Sequence, residues 1–273
     1  MDLCTADEIL QAVKSLKDFH ECRTLFFINA HCFNLAQNDE EYRNIISQSD
    51  IVLNDGVGMD IAAKIEGFKF KENLNGTDLI PQIIRIAAEE RLNIYLLGGG
   101  KDVAKTAREK IKRIFPTVNI VGYSHGYFNS EEEEQLIQDI NSKNTDIILV
   151  GMGVPLQEKW IRKNKNRFTT AKLCIAGGAI LDFISGRVRR APVIAQKLKI
   201  EWFFRLMLEP RRLFKRYVIG NFVFLMHALK FKLFPDYKKP EFKPEDVIQN
   251  ILEGIKYSKS RERVEDKITS YSE

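Results

Sequence analysis

The stretch Ile51-Val52-Leu53-Asn54-Asp55-Gly56-Val57-Gly58 decides the fold, because a short β-branched, apolar run ends on an acid and then on two spaced glycines. Such a run reads as a buried strand, and glycines just beyond it let a ligand or a helix start approach the backbone. In an open parallel sheet the crevice outside the carboxyl ends of the strands is where active sites form. Asp55 is therefore a candidate general base, with Gly56 a candidate substrate contact. The same Asp also reads as a turn residue that caps a helix beginning near Gly58. This stretch alone leaves both readings open.

Outward from it, similar runs recur at Thr24 to Ile28, Asn93 to Leu97, Asn119 to Val121, Asp146 to Val150 and Lys172 to Ile175. They alternate with helix-period segments, which predicts an α/β fold, a Rossmann-like core built on a mostly parallel sheet. The clearest predicted helices are Thr77 to Glu90, capped by Thr77 or Asp78, and Asp102 to Ile114, stopped by Pro116. Two more run from Ser130 to Asn141 and from Pro155 to Lys165. Three further strand ends carry small or polar residues. Gly98 and Gly99 open a helix start that suits a nucleotide phosphate, although tight βα turns also use Gly for geometry alone. Gln157 and Glu158 fall in the first turn after Val154-Pro155, facing the same cleft; Glu158 also reads as an ordinary acid at a helix N-terminus. Gly177 and Gly178 close the sheet.

The chain has 273 residues, 44% of them apolar, enough for a substantial core. Charges are scattered through the first thirty residues, so no signal peptide is expected and the protein is placed in the cytoplasm. Cys4, Cys22, Cys32 and Cys174 form no C-x-x-C pair, against a zinc site or a disulfide framework. His20, His31, His125 and His227 are isolated and receive no role. The net charge of +5 is uneven. Between Arg187 and Arg216 ten Lys or Arg stand against Glu201 and Glu209, so the rest of the chain is net negative. Strands vanish there and long aromatic, basic, helical sequence follows. The predicted organisation is an α/β core over 1–190, a basic, amphipathic helical appendage over 191–234 and a polar tail over 235–273, with a helix at Pro244 to Tyr257. The uncharged run Tyr217 to Leu229 is too short to span a bilayer, roughly 20 Å of helix against about 30 Å of hydrocarbon. It suits a helix lying on an anionic membrane surface, or a core helix packed on the domain.

Taken together, N-D-G-V-G, L-L-G-G-G, V-G-M-G-V-P-L-Q-E-K-W, G-G-A-I-L-D-F-I-S-G, R-A-P and E-W-F-F-R-L-M-L-E-P-R-R-L-F-K-R-Y resemble, in order and spacing over about residues 20 to 225, the WecG/TagA/CpsF glycosyltransferases (family 26). The resemblance implies an inverting hexosyltransferase that moves a sugar, by default N-acetylmannosamine, from a UDP-sugar to an undecaprenyl-diphosphate-linked sugar. Such enzymes build teichoic acid linkage units or other cell-surface polysaccharides. It also implies a peripheral location on the inner face of the bacterial cytoplasmic membrane, with the appendage targeting the lipid and helping to close the site. By position Asp55 matches the proposed base, Asn29 a pocket Asn, and Gln157 and Glu158 the segment beside the donor. Where the family commonly has Arg-Val-x-Gly, this chain has Asn73-Leu74-Asn75-Gly76.

Inversion needs one displacement, with a carboxylate taking the acceptor proton and positive groups stabilising the departing UDP. No Asp-x-Asp pair occurs to hold a metal, so no metal and no cofactor is expected, and cations must do that work. Arg205, Arg212 and Arg216, spaced seven and four apart, are the candidates, with Pro210 a point where the helix kinks or restarts. Simple attraction to anionic lipid is their other reading. The expected partners are the UDP-sugar, the lipid-linked sugar acceptor and the anionic membrane surface, with no nucleic acid; a homo-oligomer is left open. The competing classes are a noncatalytic nucleotide-responsive module that docks on membrane or nucleic acid, and an NAD-type dehydrogenase, the latter weakened by the missing fingerprint glycines.

Overall fold

A computed structural model describes residues 3–198 and 200–234, and the tail 235–273 with its expected helix lies outside the described residues. The strands are β1 (Arg23–Ile28), β2 (Ile51–Asn54), β3 (Asn93–Gly98), β4 (Asn119–Ser124), β5 (Ile147–Gly151) and β6 (Leu173–Ala176). They form one parallel sheet in the order β2-β1-β6-β5-β3-β4. Only β2 lies on one side of β1, and β3 to β6 all lie on the other. The chain thus reverses direction across the sheet at β1, and the loops that follow β1, β2 and β6 open into the resulting crevice.

The helices before the appendage are α1 (Ala6–Lys14), α2 (Ala30–Asn38), α3 (Glu40–Ser47), α4 (Val57–Glu66), α5 (Gly76–Glu89), α6 (Val103–Ile114), α7 (Ser130–Ser142), α8 (Leu156–Asn164) and α9 (Ile180–Ser185). Both sheet faces are covered except along the edge strand β4, so the other strands read as nearly continuous apolar runs with period-two division between faces. Leu25, Phe27, Ile94, Leu96, Ile147 and Leu149 pack under α1, α5, α6 and α9. Phe26, Tyr95, Leu97, Ile148 and Val150 pack under α7 and α8.

The start of α5 differs from expectation: Asn75, not Thr77 or Asp78, is its cap, accepting the Asp78 amide at 2.9 Å. The appendage is α10 (Val193–Lys197), α11 (Glu201–Leu208), α12 (Pro210–Phe214), a π-helical turn over Lys215–Ile219, and α13 (Gly220–Leu233). It is no uniform helix. Glu209, at φ −133° and ψ 61°, breaks it, and Pro210 restarts it at a position where its missing amide hydrogen costs nothing.

Candidate active site

Asp55 leaves the end of β2 with its amide donating to Ile28 O at 2.8 Å, which fixes it beside the end of β1. Its carboxylate does not cap the next helix: the cap of α4 is Gly56, which has no side chain. Instead Asp55 Oδ2 accepts from Asn29 Nδ2 at 3.3 Å. Asn29 is itself held as the cap of α2, its Oδ1 accepting the amides of His31 and Cys32 at 3.1 and 3.2 Å. One Asn therefore both starts a helix and orients the acid. Burial pushes the Asp55 carboxyl above the ordinary aspartate range; Asn29, Arg216 and Arg205 pull it back, and Glu201 adds to the rise.

Arg205 and Arg216 thus converge electrostatically on Asp55. Arg205 lies over the Phe183 ring, 5.1 Å from its centroid, and Arg216 over Tyr217 at 5.6 Å. The Nε atoms of both are buried and without a hydrogen-bond partner among the described residues. Arg212 is not brought in. It pairs with Glu209 at 2.7 Å with its side chain 63% exposed, because the break at Glu209 and the π turn after Phe214 destroy the even helical spacing that a single face requires. His31, given no role by its isolation in sequence, lies close to Arg216. Burial first, and that cation second, hold it neutral, with its pKa lowered to about 4.

The appendage is held over this site by packing. Phe224 is buried among Ile28, Ala30 and Met59, and its ring meets Phe33 edge-on at 5.2 Å. Asn34 donates to Gly220 O at 2.7 Å, and Arg190 bonds Asp78 and pairs with Glu201 at 3.5 Å.

The other expected residues serve the loops. Gln157 and Glu158 are buried. Gln157 Oε1 accepts the Gly178 amide at 3.0 Å and its Nε2 donates to Glu158 Oε1 at 2.7 Å, so the pair ties the turns after β5 and β6 together. Glu158 is no ordinary exposed acid: burial raises its pKa to about 7. A Cβ on Gly98 would sit 2.3 Å from Gly151 O, and one on Gly99 2.5 Å from Val103. The Gly99 amide already donates to Gly151 O at 3.0 Å, so close packing accounts for both glycines. Cys4, Cys22, Cys32 and Cys174 form no disulfide and are all buried.

This is an α/β enzyme architecture, a parallel doubly wound sheet with a partly buried carboxylate at its direction reversal and arginines brought over it by a C-terminal helical segment. Residues 1–238 match the WecG/TagA/CpsF family of glycosyl transferases. The N-acetylglucosaminyldiphosphoundecaprenol N-acetyl-beta-D-mannosaminyltransferase of Bacillus subtilis (strain 168) is 32% identical over 185 residues, covering 68% of this chain and 71% of that protein. The protein of the same name from Staphylococcus aureus (strain NCTC 8325 / PS 47) is 28% identical over 230 residues, covering 82% of this chain and 89% of its own. The chain belongs to the WecG/TagA/CpsF glycosyltransferase family. It is a glycosyltransferase, and that membership does not favour a noncatalytic binding module.

Proposed function

We propose that this enzyme transfers N-acetylmannosamine, with inversion, from a UDP donor to an undecaprenyl-diphosphate-linked N-acetylglucosamine, at the cytoplasmic face of the membrane and in the service of a teichoic acid or related cell-surface polymer. The relatives' names support the sugars. The observation that carries the chemistry is the Asn29–Asp55 pair beneath Arg205 and Arg216. Asp55 takes the acceptor hydroxyl proton as that oxygen attacks the anomeric carbon. The bond to the UDP oxygen breaks on the opposite side, and the two arginines stabilise the diphosphate charge as it develops. Arg212 joins the outward, lipid-facing cations instead. Gln157 and Glu158 hold the turn that borders the donor, and Gly98 and Gly99 form its close-packed floor.

Membrane docking is assigned to the outer side of the appendage. Helix α13 is apolar around its circumference, yet only Phe224 and Ala228 are buried. Phe203, Met207, Phe214, Phe222, Met226 and Leu233 are exposed. No helix among the described residues is long and apolar enough to cross a membrane. An apolar strip of this kind flanked by Arg211, Arg212 and Lys215 suits an interfacial surface.

The test is sugar transfer from UDP-N-acetylmannosamine to a lipid-diphosphate N-acetylglucosamine acceptor, in excess EDTA. Full-length protein is expected to form a product of inverted configuration without added metal. Asp55→Asn is expected to retain UDP binding and to lose at least ~100-fold in turnover, the scale of lost general-base assistance. Near-normal turnover in that variant, or activity that EDTA abolishes and metal restores, would contradict this mechanism.

A further inference from the structure

We infer that Asn73 is a positioning residue for Asp55, acting through the peptide that joins Asp55 to Gly56. This rests on the reading of Asp55 as the base. The loop that carries Asn73 is knitted to the end of β2 on both sides of that acid. Asn54 Nδ2 donates to Glu72 O at 2.9 Å, and the Leu74 amide donates to Asn54 O at 3.2 Å. Between these two ties, Asn73 Oδ1 accepts the Gly56 amide at 3.1 Å. Its Nδ2 donates to Asp60 Oδ2, on the first turn of α4, at 3.3 Å.

The second bond gives the first its direction. A carboxylate can only accept, so Asp60 demands the NH2 end of the Asn73 amide and thereby turns the oxygen toward Gly56. The receiving peptide needs such a hold. Gly56 sits at φ +92°, a conformation that Gly adopts freely, and as the helix cap it supplies no side chain of its own. Among the described residues the carboxylate accepts a single side-chain hydrogen bond, the long 3.3 Å one from Asn29. The direction of the Asp55 Cα–Cβ bond is therefore set by the amide at each end of the residue, donating to Ile28 O at 2.8 Å on one side and to Asn73 on the other. Neither Asn73 nor Asp60 is required to touch substrate.

The geometry suggests an exchange. Asp60→Asn combined with Asn73→Asp keeps both hydrogen bonds and the net charge while reversing which side chain donates. Asn73→Asp alone sets two carboxylates against each other and loses the orienting bond. The measurement is steady-state transfer with Asn73→Ala, Asn73→Asp, the exchanged pair, Asp55→Asn, and Asp55→Asn with Asn73→Ala, each checked for cooperative melting. Asn73→Ala is expected to lower kcat roughly 10- to 100-fold, the scale of an ångström-level misplacement. Its donor KM is expected to stay within about twofold, since no binding contact is removed. Asn73→Asp is expected to be as poor, and the exchanged pair to recover to within about threefold of wild type. In the Asp55→Asn background the Asn73→Ala change is expected to add nothing, because a group that acts only through the base has nothing left to position. An equal fractional loss with and without Asp55 overturns the proposal, as does a KM effect alone or an exchanged pair no better than Asn73→Asp. If Asn73→Ala does not fold, the comparison of Asn73→Asp with the exchanged pair decides. Near-normal turnover of Asp55→Asn sinks the base assignment itself, whereas a crippled Asp55→Asn beside a normal Asn73→Ala sinks only the role of Asn73.

Discussion

Two acids in this enzyme, the partly buried Asp55 and the fully buried Glu158, are raised for the same first reason and answer to different neighbours. Asp55 is lifted by burial and pulled down by Asn29, Arg216 and Arg205, so its ionisation depends on residues that arrive from the other end of the chain. In the proposed role as base Asp55 must be deprotonated, and the rate is therefore expected to rise with pH through a value above the ordinary aspartate range. Arg216→Ala removes one of the opposing cations and is expected to move that acid limb to still higher pH while lowering the plateau. A plateau loss with an unmoved limb would confine Arg216 to the leaving group. Glu158 has no cation among the causes of its shift, and burial takes it from 4.5 to about 7. Its folded pKa lies above its unfolded one, so its contribution to stability is complete below pH 4.5 and is lost as pH rises through 7. A shift of this size corresponds to about 3 kcal/mol. Glu158→Gln keeps an acceptor for Gln157 and removes the charge. Its Tm is expected to match wild type near pH 4 and to exceed it at pH 8 by roughly 5 to 10 °C, at a few degrees per kcal/mol. Equal differences at both pH values would mean that Glu158 stays neutral or that its charge is compensated.

At the scale of elements, five of the six strands were legible within about one residue, because each is a short apolar run bounded by turn formers and buried on both faces, whereas the edge strand β4, with Asn119 and Tyr123 exposed, runs three residues past its expected end at Val121. The start of α5 was misplaced because Asn75, Thr77 and Asp78 are all capping types, and only the folded geometry selects Asn75. Asp55 stood out in sequence as an acid at a strand end. Asn73 stood out only as a departure from a family pattern, because its contact is with a backbone amide and leaves no side-chain signature at position 56. The appendage was the least legible part: an even 3.6-residue count gathers Arg205, Arg212 and Arg216, while the break at Glu209 and the π turn at Lys215–Ile219 send Arg212 outward. Beyond those irregularities α13 docks on α2 and α4, where Phe224 is the anchor, 2% exposed. Phe224→Ala is expected to cost about 3 to 5 kcal/mol of docking or folding energy. Turnover is expected to fall further than that of a core variant of equal stability, because the arginines travel with the helix. Limited proteolysis near Lys215 read beside kcat checks this, and an undocked appendage with normal kcat would show that Arg216 reaches Asp55 by some other route.

For the whole molecule, the proposed reading has the appendage face two ways, toward the sheet with Arg205 and Arg216 and toward lipid with Arg211, Lys215 and the exposed aromatics. The two sets of cations obey different physics. Outward cations attract an anionic surface additively, about 1 kcal/mol each, with screening by salt, and tolerate small displacements. Inward cations act on a charge that develops at one place in a site of low dielectric, where losing a single donor costs about 3 to 4 kcal/mol of transition-state stabilisation. The two functions are accordingly separable. Arg211→Ala combined with Lys215→Ala is expected to weaken binding to phosphatidylglycerol vesicles roughly 30-fold, as two such contributions imply. That variant is expected to keep its turnover on a short-chain acceptor in detergent, where no surface has to be found. Arg205→Ala is expected to do the reverse, binding vesicles nearly as well as wild type while losing roughly 100- to 1,000-fold in turnover on either acceptor. The decisive comparison is the detergent assay: if both variants fall there by the same factor, the appendage works as one rigid unit whose outward charges are needed to seat its inward ones, and the division of labour between its faces is wrong.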